Sequence, residues 1–198
     1  DMPCANCESM TVLKTMGPVE WEWQGPDGRD YYIYDFPFVD IDGSTLIMEM
    51  GIDITERKLA EKAFREASAY NRNLIEASLD PLVTIGPDGT ITDVNAATEF
   101  VTGYSREELI GTDFSDYFTA PDNARAGYQQ AFQEGSVRDY ALEIRHRDGH
   151  ITPVLYNASV YRDDIGNVTG VFAVARDISK LKQAEMELQK HWELLQVT

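Results

Sequence analysis

One stretch of the chain occurs twice, and that repeat limits the possible folds more than any other feature of the sequence. From Asp27 it reads DGRDYYIYDFPFVDIDGSTLIMEMGIDITERKLAE, and from Asp148 it reads DGHITPVLYNASVYRDDIGNVTGVFAVARDISKLKQAE. Each copy runs turn, strand, turn, strand, then an Asp-Ile-Thr or Asp-Ile-Ser junction that opens a helix. The strands are the β-rich runs Tyr31 to Val39, Val154 to Tyr161 and Val168 to Ala175, bounded by Asp-Gly, Ile-Asp-Gly and Asp-Ile-Gly-Asn turn signals. Antiparallel strands that end in a helix place the chain in the α+β class.

Upstream, the two copies differ. The second is preceded by strands at Leu82 to Ile85 and Thr90 to Val94 joined by Gly-Pro-Asp-Gly, and then by short helices. Asn95 suits the N-cap of a helix from Ala96 to Val101 that Gly103 ends, and Ser105-Arg-Glu-Glu is a capping-box pattern. Asp122 is the expected cap of a longer helix over Asn123 to Gln133. The first copy has only a short helix near Ser9 to Met16 and one strand around Val19 to Gln24 before it, so it reads as the C-terminal half of a domain. The missing initiator Met suggests a segment cut from a longer protein. The expected organisation is a partial domain over 1–56, a connecting helix over 57–72, a complete domain over 73–179, and an outgoing helix over 180–198.

Charge and cysteine content narrow the function. With 17 Lys and Arg against 34 Asp and Glu the net charge is −17, which repels phosphate backbones and anionic headgroups, so neither nucleic acid nor direct membrane contact is expected. No apolar run reaches the length of a membrane-spanning helix, and DMPCANCESM lacks signal-peptide regions. Cys4 and Cys7 are the only cysteines, which fits a reducing, cytoplasmic home better than a disulfide scaffold. Two thiols do not complete a zinc or iron–sulfur site, and residue 8 is Glu rather than the His of a haem-attachment motif, so no metal is expected. A dithiol switch at Cys4 and Cys7 stands against a pair with no role.

The residues of the second unit resemble a PAS domain, the sensory module of prokaryotic signalling proteins. The likeness lies in Leu82-Val-Thr-Ile-Gly-Pro-Asp-Gly-Thr-Ile, Asn95-Ala-Ala-Thr-Glu-Phe with Gly103-Tyr104, Glu108-Leu-Ile-Gly111, and the closing Ala175-Arg-Asp-Ile-Ser. Gly51-Ile-Asp-Ile-Thr-Glu-Arg-Lys gives the first unit the same closing motif. The resemblance implies a five-stranded antiparallel sheet in the order 2-1-5-4-3 with helices across one face, and Val154, Tyr156, Ala158 and Val160 facing a pocket. It also implies that tandem units of this kind belong to a two-component sensor histidine kinase.

The resemblance also implies residue requirements for each cofactor class of the family. Haem-binding members take their iron ligand from a histidine that aligns with Ala126, and the helix Asn123 to Gln133 has no His, Cys or Met. Cysteinyl-flavin photochemistry needs a thiol where this chain has Phe114. His146 and His150 lie by an Arg147-Asp148-Gly149 turn expected at the surface. No cofactor is therefore predicted. An unidentified small apolar ligand bounded by Val83, Ile85, Phe100, Phe114, Leu142, Tyr156, Ala158, Ala173 and Ala175 stands against a fully packed core.

The chain has no nucleotide-binding glycine motif or cyclase signature, and Trp192 breaks any kinase phosphoacceptor match at His191, so the segment is expected to be regulatory rather than an enzyme. Transmission is expected at Asp53, Thr55, Asp177, Ile178 and Ser179, where the Asp and Thr/Ser side chains suit helix caps, with Asp53 pairing to Arg57. Leu181, Leu188 and Leu195 with Trp192, like Ala60, Ala63, Ala67, Tyr70 and Leu74 earlier, form apolar stripes at three- and four-residue steps. Linker helices pairing as a dimeric coiled coil, with an output kinase domain in the same parent chain, are the expectation. The alternatives are a non-sensing dimerisation or spacer module and the input of a cyclase or transcriptional regulator.

Overall fold

The computed structural model describes residues 8–196, with side chains through Glu193. Cys4, Cys7 and the side chain of Leu195 lie outside the described residues. The chain divides into two compact units, Asp1–Tyr70 and Asn71–Thr198.

In the first unit helix α1 (Ser9–Thr15) precedes strands β1 (Val19–Gln24), β2 (Asp30–Val39) and β3 (Thr45–Asp53), which form an antiparallel sheet in the order β1-β2-β3. The helix stops at Met16, which is left-handed with φ 51° and returns its amide to the Val12 carbonyl. The following Gly17-Pro18 does not extend it. Val12, Ile33 and Ile54 are buried, and Trp21 Nε1 donates to the buried Asp35 at 2.8 Å. The opposite face of the sheet leaves Phe36, Phe38, Leu46, Met48, Met50 and Ile52 exposed.

Helix α2 (Thr55–Glu76) follows. Its residues are Ala-, Glu-, Lys- and Arg-rich, which favours helix, and none of them is buried. Its apolar residues Leu59, Phe64, Tyr70 and Leu74 are exposed, and Ile75 is half-buried.

The second unit contains β4 (Leu82–Ile85), β5 (Ile91–Val94), α3 (Ala96–Thr102), α4 (Arg106–Leu109), a 3-10 turn (Phe114–Tyr117), α5 (Pro121–Glu134), β6 (Ser136–Arg145), β7 (Ile151–Arg162), β8 (Val168–Asp177) and α6 (Ser179–Gln196). Its five strands are antiparallel in the order β5-β4-β8-β7-β6, the expected 2-1-5-4-3. Period-two alternation on β7 buries Thr152, Val154, Tyr156 and Ala158, as a sheet covered on one side requires. The core joins these to Ile85, Leu109, Phe114, Leu142, Val171 and their neighbours.

The helix caps follow the sequence at two sites and depart from it at a third. Asn95 accepts from Thr98 N, and Ser105 and Glu108 form a reciprocal capping box. Helix α5, by contrast, starts one residue before Asp122: Ala120 is its N-cap and Pro121 sits in its first turn. Proline fits there because its φ is already helical and its missing N–H would be unpaired anyway.

Candidate functional site

Between the sheet and the helices of the second unit lies a cavity of about 40 Å³. Five expected pocket residues wall it: Val83, Phe114, Tyr156, Ala173 and Ala175. Ile85, Leu142 and Ala158 are buried in the surrounding core but do not line it. Phe100 is a correction, since it is 87% exposed on the far side of α3. The reason is helical geometry: Asn95 caps α3 so that Thr98 and Thr102, one turn apart, face inward, and a residue two positions from Thr98 then points away. Thr98 Oγ1 donates to the Leu82 carbonyl at 2.8 Å, and Thr102 Oγ1 donates to the Thr98 carbonyl at 2.7 Å. Polar type hid both threonines from a search for apolar walls, although their i, i+4 spacing was a usable signal.

The lining is almost entirely hydrocarbon. Phe114 packs against Tyr128 at 5.2 Å between ring centroids and against Phe118 at 6.3 Å. Tyr128 donates its hydroxyl to the Gly86 carbonyl at 2.7 Å. Tyr156 is the exception: its hydroxyl is fully enclosed and has no partner. Burial, with Tyr128 nearby, pushes its phenol far above the ordinary tyrosine range, so it stays neutral. The walls carry no nitrogen or sulfur ligand for iron and no thiol for a flavin. Among the described residues no group of His, Cys, Asp and Glu converges as a metal site. The space is walled mainly by hydrocarbon and is met by one unpartnered hydroxyl, that of Tyr156.

The two junctions are built alike. Asp53 Oδ1 accepts from Thr55 N at 3.0 Å and from Thr55 Oγ1 at 2.6 Å, which holds its carboxyl below the usual range. Thr55 Oγ1 in turn accepts from Asp30 N at 3.0 Å, so it ties α2 to the sheet rather than capping a helix amide. The expected Asp53–Arg57 pair does not form. Arg29 takes Asp53 at 3.3 Å, because it lies on the neighbouring strand connection, while Arg57 reaches Glu22 and Glu61 instead. At the second junction Asp177 Oδ1 accepts from Ser179 N at 2.7 Å and Ile178 N donates to the Pro153 carbonyl at 3.0 Å. On α6, Leu181, Leu188 and Trp192 are exposed.

A third attachment had no sequence signal beyond the Asn95 cap. Arg72 and Arg106 alternate with Asp93 and Glu76: Arg72 meets Asp93 at 2.9 Å and also contacts Glu76, and Arg106 meets Glu76 at 3.6 Å and also contacts Asp93. Glu76 Oε2 accepts from Ala96 N at 2.8 Å. The last turns of α2 are thereby fastened to the start of α3, whose inner face walls the cavity.

A five-stranded 2-1-5-4-3 sheet with helices over one face and an apolar space between defines a PAS-type sensory domain. The sequence matches the family described as PAS fold over residues 69–178, and the chain belongs to that family. It is 30% identical over 145 residues to the signal transduction histidine-protein kinase AtoS of Escherichia coli, covering 71% of this chain and 23% of that one. It is 29% identical over 133 residues to the "Probable diguanylate cyclase DgcE" of the same organism, covering 65% of this chain and 12% of that one. The chain thus spans less than a quarter of either relative. The PAS domain of an HTR-like protein from Haloarcula marismortui superposes with a TM-score of 0.52 at 22% identity, over 61% of this chain and 99% of that one. The second unit is a regulatory module of the kind carried by larger signalling enzymes. No helix among the described residues is long and apolar enough to cross a membrane.

Proposed function

We propose that the chain is a cytoplasmic relay segment of a signal-transduction protein, in which a change at the cavity of the second unit is delivered to α6. One strand carries the reading. β8 supplies Ala173 and Ala175 to the cavity wall and, two residues later, Asp177 to the start of α6. A ligand that displaces the wall therefore moves the strand that holds the helix, and a helix with two discrete packings turns that movement into a switch. The input is a small apolar ligand or a partner protein, with no metal or redox cofactor. The segment is regulatory and not itself catalytic.

The likeness to AtoS supports a histidine kinase as the output in the same parent chain, and the likeness to DgcE supports a cyclase as the second reading. Leu181, Leu188 and Trp192, all exposed, with Leu195 continuing their spacing in the sequence and with the stripe of α2, pair two copies as a homodimer, since apolar stripes at heptad-like spacing gain from burial. The first unit is the C-terminal half of a second PAS domain. Cys4 and Cys7 remain a candidate dithiol pair.

The test uses a substitution that fills the cavity. Ala173→Val adds two methyl groups to the wall, and it is expected to shift the amide resonances of Ser179 to Lys182. Combining it with Asp177→Ala is expected to suppress those shifts while the sheet resonances stay in place. Unmoved α6 amides in Ala173→Val, or undiminished shifts in the double variant, overturn the relay.

A further inference from the structure

The same exposed Phe100 that left the cavity borders an open groove of about 410 Å³ on the outside of the second unit. The groove lies between α3, the turn joining β6 to β7, and the end of β8. Its rim carries Phe100 at 87% exposure and Leu79 at 96%, with Val101 beside them. Large side chains left this bare are ordinary when scattered, but here two converge on one concave surface.

The polar lip carries two carboxylates, Asp148 and Asp177, beside His146, His150 and Thr152. Asp148 accepts from His150 N at 2.9 Å and faces His146 Nδ1 at 2.7 Å, and these contacts hold its carboxyl below the usual range. Asp177 lines the opposite end. Two further features tie the groove to the rest of the domain. Pro81 and Ala175 wall both the groove and the internal cavity, so the two spaces lie back to back. Asp177 also holds the start of α6.

We infer that this groove is a docking surface for a segment of another protein that carries an apolar anchor flanked by Lys or Arg. Charge complementarity selects the occupant. The carboxylates of Asp148 and Asp177 at the two ends of the groove favour a basic segment, which gains in both approach and register. The exposed helices of the chain do not supply such a segment: α2 has five basic and four acidic residues, and α6 has three of each. The occupant touches the outer side of the cavity wall and the cap of α6 at once, which makes it a second input coupled to any cavity ligand through the shared wall.

The test titrates a synthetic peptide, with a central Leu-Phe flanked by Lys and Arg, into the isotope-labelled full chain at about 0.15 M salt, where distant charge effects are screened. Resonance shifts are expected on α3, on His146 to His150 and on Ala175 to Asp177. Phe100→Ser and Leu79→Ser are each expected to weaken binding about tenfold, as loss of an anchor does. Ile165→Ser removes an equally bare side chain from a different turn and is expected to change nothing. Shifts spread over the acidic surface and indifferent to Phe100→Ser overturn the proposal. So does a change in sedimentation behaviour of Phe100→Ser without peptide, which would give the groove to a second copy.

Discussion

Asn95 shows how much one buried side chain can organise. Its Oδ1 accepts from Leu82 N at 2.9 Å, Thr98 N at 3.0 Å and Thr98 Oγ1 at 2.9 Å. Its Nδ2 lies within reach of the carbonyls of Ile75, Ser78 and Asp80 at 3.3, 3.4 and 3.1 Å. Sequence reasoning found the cap and missed the other five partners, because four of them are backbone groups on segments that only folding brings near. Asn95→Ala removes the cap and orphans several buried groups, so a loss of about 3 kcal/mol is expected in urea unfolding. A loss below about 1 kcal/mol would mean that water replaces the amide. Phe100 shows the converse: aromatic type suggested core, but its helical position relative to Thr98 decided for solvent.

At the scale of elements one local device recurs. In Asp42-Gly-Ser44, Asp53-Ile-Thr55, Asp88-Gly-Thr90 and Asp113-Phe-Ser115 the aspartate Oδ1 accepts from both the amide and the hydroxyl of the residue two positions on. The pattern works in hairpin turns and at helix starts alike because it needs only three consecutive residues. That locality is why the turns and junctions could be read from sequence within a residue or two. Strand contacts are less forgiving. Gly170 pairs with Tyr161, and a Cβ there would lie 2.4 Å from the Ile85 carbonyl oxygen and 2.8 Å from the Tyr161 hydroxyl. Backbone cannot yield cheaply, so Gly170→Ala is expected to cost about 2 kcal/mol and lower the midpoint of thermal unfolding. An unchanged midpoint would show that β4 and β8 separate more readily than their pairing implies.

Charge acts on the molecule as a whole. At pH 7 the excess of 17 negative charges opposes compaction, and protonation toward the isoelectric region, near 4.4, relieves it. The carboxyls of Asp42, Asp53 and Asp88 are held below the ordinary range by the hydroxyls and then the amides of Ser44, Thr55 and Thr90. A depressed carboxylate stabilises above its unfolded pKa of about 4 and loses that contribution as pH falls through its folded value. Stability is therefore expected to rise from pH 7 toward pH ~5, to fall below pH ~4, and to increase with added salt at pH 7. Thermal unfolding across that range checks the sign, and a monotonic decline from pH 7 downward would contradict it. The repeat, the strand alternation, the caps of α3 and α4 and the Asp-Ile junctions were determined by the sequence itself, because each is a short-range preference. Only the tertiary structure decided which apolar residues wall a cavity, that Arg29 and not Arg57 holds Asp53, and that four charges fasten the end of α2 to β5 and α4. Those outcomes depend on distances between segments far apart in the chain, and side-chain type does not encode such distances.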